Sequence, residues 1–539
     1  MMALLLMLSL GGGAAERTLK VRSRYLNIPV SQKVDRHTLL FQVPGKPTQK
    51  VVVRLAEGQP DYWVFRDLKE YKGKKLTLSY EGNQEALDRV YQSDTIMGQS
   101  SFYQEEMRPQ FHFSPLRGWN NDPNGLIYYK GKYHLYFQHN PMEREWENMT
   151  WGHATSPDLL HWTEQGDVLF PDSLGTMFSG SAVLDTENTS GLGSKRNPPI
   201  VYAYTADRPG HEVQCIAWSL DGGKSLKKYK RNPVVDSFER WQTGQTRDPR
   251  LLWYNPGKHW VMVLYEKDGH SFYTSDNLLD WTYRSHVLGF YECPEFFELP
   301  VDGNENNTRW VLMDASNGYM IGKFDGQTFT PETEKLFSTS GNIYAAQTYS
   351  NVPDGRRIQI GWGRVNHGNM PFNGMMLLPT ELSLKSTPQG IRLVSRPVKE
   401  MESLLHPVVD KKATLSVDEA SSVLNGLECK ELHLRFCMNV EKGKTGALTL
   451  NGQKLLEYNS HSQKVGDFPY KTQNESGLEL NADVYIDRTN VEVFVDEGLY
   501  SYSLQRELEK DSFVLRFEGE GVQVRNLHID TIDSVWKKK

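Results

Sequence analysis

An all-β chain is the fold class this sequence predicts: a five-bladed β-propeller, a β-sandwich after it and a smaller β-sandwich ahead of it. Three observations lead there. Short apolar runs bounded by Gly, Asn, Asp and Pro recur from residue 17 almost to the C-terminus, as strands and turns do. No convincing amphipathic helix interrupts them between 107 and 400. Within that stretch a short pattern returns at a spacing of about sixty residues, the length of a four-stranded propeller blade with generous loops. A chain of 539 residues is too long for one ordinary core, so several domains are expected.

Taken in order, residues 1–16 carry the apolar run Ala3-Leu4-Leu5-Leu6-Met7-Leu8 and a Gly-Ala tail. They read as the core and cleavage region of an export signal without its positive start, too short to span a bilayer. Export to the periplasm or cell exterior is therefore expected. Residues 17–103 hold β-type runs at 18–22, 39–43, 50–55, 61–68 and 75–80, read as a small β-sandwich, with a polar linker from Glu81 to Gln104. Residues 107–400 carry the repeat. Ser156-Pro157-Asp158-Leu159-Leu160-His161-Trp162 is matched by Ser275-Asp276-Asn277-Leu278-Leu279-Asp280-Trp281 and, more loosely, by Ser219-Leu220-Asp221-Gly222-Gly223. About 290 residues at roughly sixty per copy make five blades. Residues 410–536 alternate apolar and polar, as in Leu432–Phe436, Ala482–Asp487 and Val491–Val495, and read as a second β-sandwich without a catalytic signature.

Composition excludes some functions. Lys and Arg number 61 against 67 Asp and Glu, and no basic run precedes Lys537-Lys538-Lys539, so nucleic acid is not an expected partner. Four cysteines make neither a disulfide framework nor a Cys-x-x-Cys metal site, and a Cys429–Cys437 bridge is left open. No metal, cofactor or membrane span is expected. The 13 Trp and 26 Tyr suit β-rich folds and sugar-stacking surfaces, and establish neither.

Three acidic residues sit among aromatic, Pro or Cys neighbours rather than on a solvated face. Asp122 lies in Trp119-Asn120-Asn121-Asp122-Pro123-Asn124-Gly125, Asp248 in Thr246-Arg247-Asp248-Pro249-Arg250, and Glu292 in Tyr291-Glu292-Cys293-Pro294. The first stretch also reads as an ordinary turn, given its residue types. The innermost strands of a propeller face one axis, so these carboxylates, on the first, third and fourth blades, converge. Retaining glycoside hydrolysis needs two carboxyl groups about 5–5.5 Å apart, one ionised and one protonated. The amides of Asn121 and Asn124 are expected to hold the Asp122 pKa down, and apolar neighbours to raise that of Glu292. Arg247 is expected to keep Asp248 charged, which suits stabilising a cationic transition state or a plain structural ion pair.

These motifs, with Phe178-Ser179-Gly180-Ser181, Tyr344-Ala345-Ala346-Gln347, Ile360-Gly361-Trp362 and Ile486-Asp487-Arg488-Thr489-Asn490-Val491-Glu492-Val493-Phe494, resemble glycoside hydrolase family 32, the fructan hydrolases and invertases. The resemblance covers about 107–536 and implies a five-bladed propeller followed by a β-sandwich. Tyr62–Leu68 resembles part of an extra N-terminal β domain of some bacterial members. The resemblance implies Asp122 as nucleophile, Glu292 as acid/base and Asp248 as transition-state stabiliser. It places fructosyl contacts on Asn121, Gln138, Trp146, Trp151, Phe178, Ser179 and Arg247. For Gln138 and Ser179 a plain strand role stays open, and for Trp151 and Trp362 a core or wall role. Many relatives carry an acid where this chain has Asn342, near the leaving-group side, so substrate preference is the less determined part. Residues 366–373 are expected to form a loop near the pocket mouth.

The implied activity is removal of fructose from levan, inulin or related oligosaccharides, and cleavage of sucrose. Endo-levanase and invertase are alternatives within the class. A non-catalytic fructan-binding module, or an inverting propeller hydrolase of another sugar, lies outside it.

Overall fold

The computed structural model describes residues 14–425, 427, 430–466, 468–470, 477–506 and 513–536. The apolar run at 3–8 and Cys429, hence its pairing with Cys437, lie outside the described residues. The first strand, Ala15–Lys20, begins inside the stretch set aside as a signal. No helix among the described residues is long and apolar enough to cross a membrane.

The N-terminal domain is a β-sandwich. One sheet runs in the order Ala15–Lys20, Lys75–Tyr80, His37–Gln42, Gln49–Val53; the other pairs Tyr62–Asp67, Tyr25–Val30 and Tyr91–Ser93. Leu39, Phe41, Leu76 and Leu78 of the first meet Leu26, Ile28 and Val64 of the second in one core. The Tyr25–Val30 strand was not anticipated, because Asn27 and Pro29 break its apolar alternation; it is nonetheless central to its sheet.

Five blades follow. Their innermost strands are Gly118–Tyr129, Thr176–Leu184, Thr246–Tyr254, Glu295–Val301 and Ile343–Thr348. The repeated Ser-x-Asp/Asn-Leu-Leu pattern proves to be the turn from the third to the outer strand of a blade. In the first blade Asp158 Oδ1 accepts from the Leu160 and His161 amides at 3.1 and 2.9 Å. In the third, Asn277 Oδ1 accepts from Leu279 and Asp280, both at 2.9 Å. The pattern therefore encodes a side-chain-capped turn, with Leu159 and Leu278 buried beneath it.

The stretch around Asp122 differs from the turn reading. Gly118–Tyr129 is one 12-residue strand. The hairpin turn comes after it, at Lys130-Gly131, both with positive φ as a two-residue hairpin loop requires. The strand is kinked instead. Asn120 and Pro123, three apart, face His139 and Phe137, two apart, so one extra residue bulges out. The same one-residue excess recurs between Met177 and Gly180, Arg247 and Arg250, and Tyr344 and Gln347. Four blades thus bulge at corresponding places on their inner strands.

The C-terminal sandwich packs a seven-stranded sheet on a five-stranded one and takes in Leu405–Ser416, which begins ahead of residue 410. It also contains a helix, Val417–Leu424, started by a reciprocal cap in which Ser416 and Glu419 each serve the other's backbone. Thr339–Gly341 leaves the propeller to pair with Tyr500–Gln505 of this sandwich. Leu126, Leu135 and Ile358 of the propeller share a core with Tyr485 and Phe494.

Candidate active site

The four bulges and the start of the fourth blade surround one cavity of about 660 Å³. A regular strand sends alternate side chains to opposite faces. An extra residue breaks that alternation and lets neighbouring side chains face the axis together. Asn121 and Asp122 come from the first bulge, Phe178 and Ser179 from the second, Arg247 and Asp248 from the third, and Tyr344 flanks the last. Asp248, Glu292, Cys293 and Ala345 have φ of 67°, 38°, 42° and 49°. Left-handed backbone at non-glycine residues costs energy and persists where the surroundings impose it.

Asp122 is gripped on both oxygens. Ser179 Oγ donates to Oδ2 at 2.7 Å and Asn121 Nδ2 to Oδ1 at 3.1 Å. Trp119 Nε1 holds Asn121 in turn, at 2.8 Å. Asn124 is directed elsewhere: its Oδ1 accepts from the Gly180 amide at 3.2 Å. Burial raises the Asp122 pKa despite the Ser179 and Asn121 hydrogen bonds, and the charge of Glu292 adds to the rise. The expected downward shift is thus reversed, because a few hydrogen bonds do not replace the water lost.

Asp248 also departs from expectation. Its carboxyl is pushed up to about 8, first by burial, against the pull of Arg247 and with further push from Glu292 and Asp122. Arg247 directs its fork away from its sequence neighbour. Nη1 reaches Glu212 Oε1 and Oε2 at 3.0 and 3.1 Å, and Nη2 reaches Glu292 Oε1 at 2.7 Å. Asp248 instead accepts from the Cys293 amide at 3.0 Å. The Cys293 sulfur lies 3.3 Å from Asp248 Oδ2 and 3.5 Å from Asp122 Oδ2. Burial and these carboxylates hold the Cys293 thiol well above its usual range, so it stays protonated between them.

Glu292 does not sit in the apolar setting expected from Tyr291, Cys293 and Phe296. Its Oε1 meets the Arg247 guanidinium, and its Oε2 accepts from the Tyr344 hydroxyl at 2.7 Å. Burial and Glu292 together raise the Tyr344 phenol far above its ordinary value and keep it a donor.

Of the other residues singled out in the sequence, Gln138, Trp146, Phe178 and Trp362 line the cavity. Gln138 Nε2 is buried without a hydrogen-bond partner among the described residues. Trp146 and Phe178 meet edge to face at 6.2 Å. Two residues are placed differently. Trp151 is fully buried behind the site and its Nε1 donates to the Phe178 carbonyl at 2.9 Å, so it is a prop for the wall. Asn342 does not line the cavity: its amide is bound to Ser503 O at 3.1 Å in the sandwich. Residues 366–373 do not line it either. Glu212 and Tyr344 went unrecognised as site residues. Glu212 opens a strand beside His211, where a surface charge is the ordinary reading, and only the fold turns it toward Arg247.

A model described as the glycosyl hydrolases family 32 N-terminal domain matches residues 112–397, the whole set of blades. A levanase of Bacillus subtilis (strain 168) is 35% identical over 491 residues, covering 81% of this chain and 72% of its own. An extracellular exo-inulinase of Aspergillus niger is 31% identical over 517 residues, covering 80% of this chain and 96% of its own. Among solved structures, the exo-inulinase of Aspergillus awamori aligns with a TM-score of 0.68 at 28% identity, over 80% of this chain and 100% of that one. With a family model spanning every blade, and relatives above 30% identity along most of their own length, the chain belongs to glycoside hydrolase family 32 and is a hydrolase of that family.

Proposed function

We propose that the chain is a retaining β-fructosidase that removes terminal fructose from levan or inulin and also cleaves sucrose. The observation that carries this reading is the meeting of three carboxyl groups, from three blades, around one sulfur and one guanidinium: Asp122, Asp248 and Glu292 with Cys293 and Arg247. Asp122, with both oxygens oriented, attacks the anomeric carbon C2 of the fructosyl unit. Glu292 gives its proton to the departing glycosidic oxygen, and a fructosyl–Asp122 ester forms. Glu292 then takes a proton from water as that water attacks C2, which releases fructose and restores both groups. Positive charge spreads over C2 and the ring oxygen in both transition states. Asp248 and the acceptors around it bind the sugar hydroxyls, and the ionised form of Asp248 stabilises that charge. Trp146 and Phe178 supply the apolar wall that a furanose face needs. The unpartnered Gln138 Nε2 is a ready donor to a sugar hydroxyl.

The names of the relatives, levanase and exo-inulinase, support a fructan substrate. The word extracellular in the latter, with the apolar run at 3–8, supports export.

Asp122→Asn is expected to lose activity by about four to six decades while still binding fructose. Turnover of that variant at the native rate rules the mechanism out. Proton NMR of the first product should show the β-anomer of fructose before mutarotation; inversion overturns the covalent intermediate. Release of fructose alone from levan and inulin marks exo action, whereas oligomers mark an endo-levanase.

A further inference from the structure

The loop between the second and third strands of the first blade, residues 141–149, carries Trp146 to the cavity mouth. Its Arg144 side chain reaches the Gly368 carbonyl of the propeller, whereas Met142, Glu143, Glu145 and Asn148 are bound to the N-terminal sandwich. Glu143 has no exposed side-chain surface. Its Oε2 takes Arg36 Nε and Arg54 Nη1, both at 2.8 Å, and its Oε1 takes the Arg54 amide at 2.6 Å. Glu145 Oε2 takes Nη2 of both guanidinium groups at 3.1 Å. Asn148 makes a two-way pair with the Val52 backbone, at 2.8 and 2.9 Å. Met142 is packed inside the core of the N-terminal sandwich. Trp146 itself is half exposed and touches Phe178 across the opening.

Residues on both sides of Trp146 are therefore held by one domain while its ring serves another. A buried carboxylate with two guanidinium partners cannot be given up cheaply, since removing either partner leaves an uncompensated charge. A loop of this length without such anchors would sample many conformations and pay entropy to present its tryptophan.

We propose that the N-terminal sandwich is part of the substrate site: through Arg36, Arg54 and the Val52 backbone it fixes Trp146 at the pocket mouth, and so sets affinity for the fructosyl unit. Arg36 and Arg54 are positioning residues that never meet the sugar. This rests on the cavity being the fructosidase site.

The test is a double-mutant cycle on the full-length chain with sucrose and a fructo-oligosaccharide of defined length. Arg36→Ala with Arg54→Ala is expected to raise KM about tenfold and leave kcat within about twofold. Trp146→Ala alone is expected to do the same, and to add less than about twofold on the arginine-free background. An unchanged KM in the arginine variant, or effects that multiply in full, overturns the proposal, even if the melting temperature falls. If the double arginine variant does not fold, Asn148→Ala carries the same cycle with the same criteria. Asp122→Asn separates the two readings: full turnover by it sinks the site assignment, whereas its inactivity beside a multiplicative cycle sinks the anchor alone.

Discussion

At Asp248 the site shows why neighbours in sequence mislead about charge. Arg247 precedes it, yet the guanidinium forks between Glu212 and Glu292, and burial pushes the carboxyl up to about 8. An unfolded chain releases that proton near 3.8. Between those values the native state binds the extra proton, so unfolding free energy falls as pH rises from about 4 to about 8. Asp248→Asn removes this dependence. Against wild type it should gain stability on the order of a few kcal/mol toward pH 8 and little at pH 4. Chemical denaturation across that range decides, and parallel curves for the two proteins contradict the account. Glu212 yields a second expectation. Glu212→Gln weakens one arm of the Arg247 fork and should lower kcat/KM about tenfold, with partial recovery in Glu212→Asp. A rate within error of wild type would remove Glu212 from the site. The acids themselves were legible, since aromatic, Pro and Cys neighbours set them apart from a solvated face. Of their partners, Tyr344 stood in a named motif without an assigned role, and Glu212 was not legible, because nothing local distinguishes it from an ordinary strand residue.

Among the elements, the inner-strand bulges do the positioning. Four of the motifs named at the outset, Asn-Asp-Pro-Asn, Phe-Ser-Gly-Ser, Arg-Asp-Pro-Arg and Tyr-Ala-Ala-Gln, are bulges. A single inserted residue leaves no periodic trace, so these stretches read as turns or plain strands. Where a turn has its own chemistry, as at Lys130-Gly131 or the capped Ser-x-Asp-Leu-Leu repeat, it leaves a local mark in the residue types. The helix at Val417–Leu424 had such a mark too, the Ser416–Glu419 cap, and was passed over because its surroundings alternate like strands. The second bulge also depends on having no side chain at Gly180. A Cβ there would lie 1.9 Å from the Ala203 carbonyl oxygen. Gly180→Ala must shift Phe178 and Ser179, and with them the grip on Asp122. The expected cost is about 1–3 kcal/mol of stability together with a drop in kcat of at least about tenfold. A variant that melts earlier but turns over normally would show that the bulge tolerates displacement.

For the molecule as a whole, domain number and order were readable because each domain has its own strand texture. How the domains hold one another was not, since the groups responsible are hundreds of residues apart. Just before the first blade, the buried His112 ring lies between Asp487, 2.7 Å from Nδ1, and Glu492, 2.6 Å from Nε2, both in the C-terminal sandwich. Those acids belong to the Ile486–Phe494 stretch of the sandwich, which here clasps the propeller. Burial opposes a charged imidazole, but the two carboxylates prevail and lift its pKa to about 9, against 6.5 for a free histidine. The native state therefore keeps a proton that the unfolded chain has lost. The stabilisation is complete below about pH 6.5 and fades as pH rises through about 9. Breaking such a buried pair costs on the order of 3–5 kcal/mol. His112→Gln should melt lower than wild type at pH 6, and the gap should narrow steadily toward pH 10. Melting curves of both proteins at half-unit steps measure it. A gap that stays constant across the range would mean that the ring acts here by shape and neutral hydrogen bonds, and that charge does not join the propeller to the sandwich.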